Sequence, residues 1–383
     1  MKEILIFARR FSLLVLLPSF FAIAAAEWIG WRTGGTMLPS SIALAQQRDP
    51  MLIWAGELRH YAPFKLASIA LQQPDIVFVG TSRCAEMRSG MFKPYRFYNA
   101  CVTSGSFDQI RMNIERILDV SHPKIVIITL DYFMFTDGFA AGVTEKMTME
   151  YDYSMRSHLD GLVSLGTAIR NYPLTMAKYL FVRKREPIDG MELLGLPAIR
   201  GNAGFRYDGS LLYDPNDRIA SVVHNQDVKF GLLSQFHGGP EMRPDPIAAL
   251  KRLADAVHAR GAVLVGMQMP ILKSTVDYLD TETSYWSYAG VWRDFESAKA
   301  RDLFAELGIR FFDMSRDDVC ADPRNFFDSG HPTERGNLGA FVHELDNPEF
   351  RAAFPDLDAA QLRADYARAQ QDDAFFDLYH DRF

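Results

Sequence analysis

The sequence predicts an α/β fold organised around a doubly wound, five-stranded parallel sheet, and two observations lead to this prediction. Short runs of β-branched and aromatic residues recur along the 383-residue chain, as expected of buried strands. Segments with apolar residues at helical spacing lie between these runs. A strand, a helix and a second strand in this order form the right-handed crossover unit of parallel sheets, so the alternation predicts one such sheet.

Five segments are predicted to be the strands of this sheet. In chain order they are 75–80, 95–101, 124–130, 261–270 and 309–313. Helices are predicted between and after them because apolar side chains repeat at spacings near the helical period, as at Ile110, Ile114 and Ile117. The predicted helices begin at Ser106, cover 246–259 and 294–307, and start again near Pro332. Residues 74–345 are therefore expected to form the main domain.

The first 31 residues are predicted to be a membrane anchor. The run 11–31 contains one charged residue, Glu27, and has about the length that a membrane-spanning helix needs. Arg9 and Arg10 precede this run, which predicts a single-pass protein of the inner membrane with the main domain on the extracytoplasmic side. A cleaved signal peptide is the alternative, because the small residues within 22–26 suit a cleavage site. The chain is exported under both interpretations.

Three segments lie outside the sheet pattern. Residues 32–73 are predicted to form a stalk and a lead-in helix, and residues 346–383 a peripheral helical tail. The alternation of strands and helices also breaks between about 135 and 243, which indicates a large insertion that covers the site. Within this insertion, Asp208-Gly209 lies between two apolar runs and predicts a hairpin turn.

The charge and the cysteine content limit the function classes. The formal net charge is −7, and a nucleic-acid partner is not expected without a basic patch or stripe. The spacing of metal ligands is absent, so neither a metal nor another cofactor is expected. Of the three cysteines, Cys84 and Cys101 follow the first two predicted strands, which makes a disulfide between them one interpretation. Three buried thiols, with Cys320 as the third, is the favoured interpretation.

A serine follows the first predicted strand directly. The stretch from Ile76 ends in Ser82 at the carboxyl edge of the sheet, where open α/β sheets bind their ligands. Taken alone, this stretch favours an ordinary helix N-cap formed by Thr81 or Ser82. Asp328 and His331 change that interpretation, since a carboxylate and an imidazole on one short loop complete a nucleophile–base–orienter set with a serine.

The Gly80-Thr-Ser82-Arg block, an asparagine-containing turn after the second strand and the Asp328-x-x-His331 block resemble the SGNH (GDSL-like) hydrolase superfamily. The resemblance covers roughly residues 74–345. In particular, the chain resembles the membrane-anchored branch typified by the D-alanyl transfer protein DltD and by proteins that O-acylate exported polysaccharides. The resemblance implies the flavodoxin-like SGNH fold. It also implies that Ser82 is the nucleophile, His331 the base and Asp328 the residue that orients the base.

The same resemblance suggests which groups surround the nucleophile. Backbone N–H groups of Ser82 and Gly105 are expected to bind the oxyanion. Asp131 stands where the family has an asparagine, and a carboxylate donates to an oxyanion only when it is protonated. Asn99 is a further candidate for a group that binds the oxyanion. Arg83 is expected either to meet an anionic substrate group or to form a surface salt bridge.

The function that the resemblance implies is that of an O-acyltransferase. Ser82 would take an acyl group, expected to be acetyl, from a membrane-bound acyl-carrier partner of the MBOAT type. It would pass the group to a hydroxyl of a cell-surface or exported polysaccharide. An esterase that acts on a glycan or a lipid would use the same residues, because the triad chemistry is the same for water and for a sugar hydroxyl. A non-catalytic scaffold of a polysaccharide export complex is the third hypothesis, supported by the altered asparagine position and opposed by the intact triad.

Overall fold

The computed structural model describes residues 2–49, 51–54, 61–136, 155–182, 192–195, 198, 203–213, 239–281, 289–328 and 330–371. Much of the predicted insertion, and the end of the predicted tail, lie outside these ranges. Within them, the chain forms a mixed α/β structure with an N-terminal helix.

The described elements follow one another as strands and helices of ordinary length. The strands are β1 (Met51–Ile53), β2 (Ile76–Val79), β3 (Phe97–Asn99), β4 (Ile125–Thr129), β5 (Glu192–Leu194), β6 (Gly204–Phe205), β7 (Leu211–Leu212), β8 (Val263–Gln268) and β9 (Arg310–Asp313). The first helices are α1 (Lys2–Arg32), α2 (Pro39–Arg48), α3 (Tyr61–Gln72), α4 (Phe107–Val120), α5 (Met155–Asn171), α6 (Pro173–Val182) and α7 (Pro244–His258). The later helices are α8 (Lys273–Thr281), α9 (Ala289–Phe295), α10 (Ala298–Glu306), α11 (Glu334–Glu344), α12 (Pro348–Ala353) and α13 (Ala359–Ala369).

The central sheet has five parallel strands, as the sequence predicts. Its order is β3-β2-β4-β8-β9, and every neighbouring pair is parallel. Alternate strand residues face opposite sides of a sheet, and helices cover both sides here. Val77 and Val126 pack under α4 and α7, whereas Phe78 and Ile127 pack under α11, α12 and α13. The carboxyl ends of parallel strands share one edge, so the residues that follow β2, β4 and β8 meet there.

A smaller sheet joins the N-terminal part of the chain to the predicted insertion. Its order is β5-β1-β6-β7, in which β6 and β7 form an antiparallel hairpin. The hairpin prediction at Asp208-Gly209 is therefore confirmed. Gly209 has a φ of +78°, and a side chain at this position would collide with the carbonyl oxygen of Asn99.

The segment 32–73 differs from the stalk that the sequence predicts. Its residues Ile42, Met51 and Phe64 are buried with Phe205 and Leu211 of the hairpin in one apolar cluster. The pairing of β1 with strands far along the chain provides this burial, and no local pattern in 32–73 reports a partner of that kind.

The predicted peripheral tail also contributes to the core. Phe350 and Phe354 of the segment that follows α11 are buried against the sheet, together with Leu362 of α13. The ring of Phe350 lies 5.0 Å from that of Phe312 on β9 and 4.9 Å from that of Phe341 on α11, measured between ring centroids. The residues up to α13 are therefore part of the main domain.

The N-terminal helix α1 spans 31 residues and includes a short π-helical segment, Ser12–Leu16. It is long and apolar enough to cross a membrane, and an N-terminal signal sequence would meet the same description. Most of its apolar side chains are exposed, as at Leu14 and Phe7. An apolar helix that the rest of the chain leaves uncovered is suited to a lipid environment.

Candidate active site

Ser82 lies in a tight turn directly after β2. The hydroxyl of Thr81 caps the short 3₁₀ turn Ser82–Cys84, because it accepts a hydrogen bond from the N–H of Arg83 at 3.4 Å. The cap expected from the sequence is therefore made by Thr81. The hydroxyl of Ser82 is left to bond with another partner.

The turn is held from two neighbouring strands. Gly80 is required because a Cβ there would collide with the side chain of Thr129 at the end of β4. On the other side, Cys84 forms a disulfide with Cys101, with the Cα atoms 5.8 Å apart. The favoured prediction of three thiols is wrong for these two residues, because β2 and β3 are neighbours and their ends lie side by side. Cys320 is a buried thiol, as predicted.

Ser82, His331 and Asp328 form a continuous chain of hydrogen bonds. The Oγ of Ser82 lies 2.7 Å from Nε2 of His331. The Nδ1 of His331 lies 2.7 Å from Oδ2 of Asp328. The three side chains are thus brought together from opposite ends of the main domain, in the geometry of a nucleophile, a base and the group that orients the base.

The loop that carries Asp328 and His331 is internally bonded. The Oδ1 of Asp328 accepts hydrogen bonds from the backbone N–H groups of Gly330 and His331, both at 2.8 Å. Partial burial raises the pKa of Asp328, but the hydrogen bond and charge of His331 and these two N–H groups outweigh it and lower the pKa to about 2. The carboxylate is therefore ionised at neutral pH and fixes the orientation of the imidazole.

Two of the predicted oxyanion-binding groups have other partners. The side-chain amide of Asn99 donates to the carbonyl oxygens of Cys84 and Met87, each at 2.8 Å. The N–H of Gly105 donates to Oε1 of Gln109 at 2.7 Å. Asn99 therefore holds the chain after Ser82 in place, and the N–H of Gly105 is bonded to the first turn of α4, so both differ from their predicted roles in this conformation.

The backbone N–H of Ser82 is the remaining predicted oxyanion donor. No described residue accepts a hydrogen bond from it. The first N–H that is bonded within the turn belongs to the next residue, Arg83, and donates to the hydroxyl of Thr81. A free N–H on the nucleophile's own residue is suited to stabilise negative charge that develops on an attacked carbonyl oxygen.

Arg83 and Asp131 form a buried ion pair beneath the serine. The guanidinium contacts Oδ1 of Asp131, and the hydroxyl of Thr81 donates to Oδ2 at 3.0 Å. Burial raises the pKa of Asp131, and the charge of Arg83 and the hydrogen bond from Thr81 oppose this shift. Neither predicted role of Arg83 applies, because the side chain is only 5% exposed and its salt bridge is buried. Asp131 likewise bonds its neighbours and not the serine hydroxyl.

Tyr213 is a residue of the site that the sequence does not reveal. It follows β7 of the hairpin, and its hydroxyl donates to the carbonyl oxygen of Ser82 at 3.4 Å. Its ring lies 4.6 Å from that of Phe327 and 6.3 Å from that of His331, measured between centroids. The hairpin signal at Asp208-Gly209 is the only local sign that this segment is ordered, and it does not indicate the contact with Ser82.

A buried cluster of charged side chains connects the hairpin to the segment after Ser82 and to the helix after His331. Arg88 donates to Oδ2 of Asp208 at 3.1 Å and to Oε2 of Glu334 at 2.9 Å. Arg88 follows the serine turn, Asp208 lies in the hairpin, and Glu334 opens the helix after His331. Burial raises the pKa of Asp208, but the charge of Arg88 and hydrogen bonds from Ser210 and the Ser89 N–H lower it to about 2. The partners lie far apart in sequence, so no local motif could identify this cluster.

The arrangement is suited to acyl transfer through a serine. It provides a hydroxyl bonded to an imidazole, a carboxylate behind the imidazole and, beside the hydroxyl, an N–H that no described residue accepts. Among the residues that the structure describes, no group of three or more histidine, cysteine or acidic side chains could hold a metal ion.

A comparison of the chain with models of known protein families and with curated proteins finds no match.

Proposed function

We propose that this protein is a serine-dependent O-acyltransferase of the SGNH (GDSL-like) superfamily that works through an acyl-Ser82 intermediate. The hydrogen-bonded chain from Ser82 through His331 to Asp328 is the observation that carries this proposal. The parallel sheet supports it, since its strand order is the 2-1-3-4-5 order of flavodoxin-like sheets and the serine follows the first of these strands. The flavodoxin-like SGNH fold is proposed on the same grounds.

The proposed mechanism has two proton transfers in each half-reaction. His331 Nε2 takes the proton of Ser82 as the serine oxygen attacks the acyl carbonyl, and the Ser82 N–H stabilises the oxyanion. The tetrahedral intermediate collapses, and His331 returns the proton to the leaving group. In the second half, His331 takes a proton from the acceptor hydroxyl, which attacks the acyl-serine. The acyl group passes to the acceptor oxygen, its bond to the Ser82 oxygen breaks, and His331 returns the proton to Ser82.

The acceptor and the donor are proposed from the resemblance described above. We propose an acetyl group that a membrane-bound acyl-carrier partner of the MBOAT type delivers, and a cell-surface or exported polysaccharide as the acceptor. Export is supported by the apolar helix α1 and by the Cys84–Cys101 disulfide, since disulfides persist in oxidising compartments. A single-pass inner-membrane protein with its main domain in the periplasm fits both.

Hydrolysis is the second candidate, because the side chains of His331 and Asp328 are 32% and 42% exposed. Water can therefore compete with a sugar hydroxyl for the acyl-serine. One experiment tests both functions. It measures p-nitrophenol release from p-nitrophenyl acetate by the full chain in detergent. Oligosaccharides are added as acceptors, and acetate and acetylated sugar are quantified separately.

We expect release to fall by several orders of magnitude in Ser82→Ala and in His331→Ala. The matched control is His343→Ala, because His343 also bonds an aspartate, Asp317, at 2.8 Å but no described serine hydroxyl. Acetylated sugar as the main product supports transfer, and free acetate at saturating acceptor supports an esterase. Release that survives loss of Ser82 would refute both enzymatic functions.

A further inference from the structure

Arg83, the residue after the nucleophile, is almost fully buried. Its side chain is 5% exposed and lies where the ends of three strands meet the loop of Asp328 and His331. An arginine is always charged and carries five N–H donors, so burial at this depth requires partners for these groups.

The guanidinium has an acceptor in each direction. Its Nε donates to the carbonyl oxygen of Gly330 at 2.8 Å. Its Nη2 donates to the carbonyl oxygens of Met269 and Pro270, at 2.7 and 2.8 Å. Its Nη1 pairs with Asp131. The side chain therefore connects the serine turn after β2 to the segments that follow β4 and β8 and to the loop of the base.

The contact with Gly330 is the one that bears on the triad. Gly330 lies between Asp328 and His331, and the N–H groups of Gly330 and His331 both donate to Asp328. These bonds fix the shape of the loop but not its distance from Ser82. The Arg88–Glu334 pair holds the helix that follows the loop. Within the described part of the loop itself, the bonds to the segment of Ser82 are Arg83–Gly330 and Ser82–His331.

We propose that Arg83 is a positioning residue that sets the distance between His331 and Ser82. This inference rests on the proposed function, because it assigns the residue to the same serine chemistry. Arg83 acts through the backbone of Gly330 and contacts no reacting atom. Asp131 and Thr81 support this role, since Asp131 neutralises the buried charge of Arg83 and the hydroxyl of Thr81 donates a hydrogen bond to Asp131.

Lysine cannot replace arginine in this role. An ammonium group carries three donors on one atom, whereas the guanidinium presents a rigid planar fork toward acceptors on several sides. Arg83→Lys keeps a positive charge near Asp131, and hence most of the stability, but it loses the bond to Gly330. The double variant Arg83→Gln/Asp131→Asn removes both buried charges together, so neither is left unpaired.

The test compares these two variants with Arg335→Gln in the full chain. Arg335 is an equally buried arginine whose side chain donates to Asn325 and Asp322 on the segment before the loop. Turnover of p-nitrophenyl acetate gives kcat and KM, thermal unfolding gives Tm, and hydrogen exchange followed by mass spectrometry gives the mobility of the peptide that contains Gly330 and His331.

For Arg83→Lys and the double variant, we expect kcat to fall about a hundredfold with KM within about twofold, since a displacement near 1 Å has an effect of this size. Exchange in the Gly330 peptide should accelerate in both variants and not in Arg335→Gln, whose Tm falls while its kcat stays within about threefold of wild type. Wild-type kcat and unchanged exchange in the Arg83 variants would overturn the inference. If the wild type shows no Ser82-dependent turnover, the proposed function fails, and the exchange measurement still decides whether Arg83 anchors the loop.

Discussion

Glu86 is a carboxyl group that the fold buries next to the serine turn. It is 1% exposed, and its Oε2 lies 3.9 Å from the guanidinium of Arg206. Burial raises its pKa to about 8, the charge of Glu334 adds to this shift, and the charges of Arg206 and Arg88 oppose it. The folded protein therefore binds a proton at Glu86 under conditions in which the unfolded chain releases it.

Glu86→Gln removes this titration and should change the pH dependence of stability. A glutamate in an unfolded chain has a pKa of about 4.3, and the folded value is about 8. Because the folded state binds more protons between these two values, wild-type stability falls as the pH rises through this window and levels off above it. The glutamine variant does not ionise and avoids this loss.

We therefore expect the Tm of Glu86→Gln, relative to wild type, to rise between about pH 5 and about pH 8 in thermal unfolding followed by circular dichroism. Glu115→Gln, at a half-exposed site paired with Arg111, is the matched control for the loss of a carboxylate. A constant difference for Glu86→Gln would show that its pKa is the same in the folded and unfolded states.

At the residue scale, the sequence predicts a functional side chain when its partners lie close in sequence or when it directly follows a predicted strand. Asp328 and His331 share one short loop, and Ser82 follows a clear strand, so all three are visible in the sequence. The bonds of Arg83 to Gly330 and of Tyr213 to Ser82 join residues 247 and 131 positions apart. No spacing rule reports contacts at such separations, so they require the fold.

At the scale of single elements, α1 has the composition of a membrane-spanning helix and lies against little else in the described chain. Leu17 lies near its middle, and an arginine there would cost about 3 kcal/mol in a bilayer. We expect the full chain to stay with the membrane after an alkaline carbonate wash and to retain Met1 by intact mass.

Leu17→Arg should lower the retained fraction, whereas Leu44→Arg on α2 should not, although the two leucines are similarly exposed at 47% and 45%. A mature chain that begins after the small residues at 22–26 would show instead that α1 is a cleaved signal sequence.

Local sequence patterns predict least well the elements whose partners lie far away in the sequence. β1 is a short strand whose pairing partners, β5 and β6, lie far along the chain. The helices after α11 are buried by aromatic residues such as Phe350 and Phe354, which are too sparse to show a helical period. The central strands β2, β3, β4 and β8, in contrast, are buried along almost their whole length and therefore stand out as runs of mostly apolar residues.

At the scale of the whole molecule, the parallel sheet explains why the site lies where it does. The serine turn follows β2, Asp131 follows β4, Met269 and Pro270 follow β8, and the loop of the base lies beyond β9. Since the carboxyl ends of parallel strands share one edge, the fold itself brings these segments together. The disulfide, the Arg83 network and the buried charge cluster then hold them in one arrangement.

The central claim is that Ser82 carries the acyl group during turnover. The measurement that tests it most directly mixes the full chain with p-nitrophenyl acetate, quenches with acid at short times and records intact mass. Peptide mapping then locates any modified residue.

The account predicts a gain of one acetyl group on Ser82 in the wild type and in His343→Ala, no gain in Ser82→Ala, and a much slower gain in His331→Ala. An unmodified wild type, or an adduct that persists in Ser82→Ala, would contradict it.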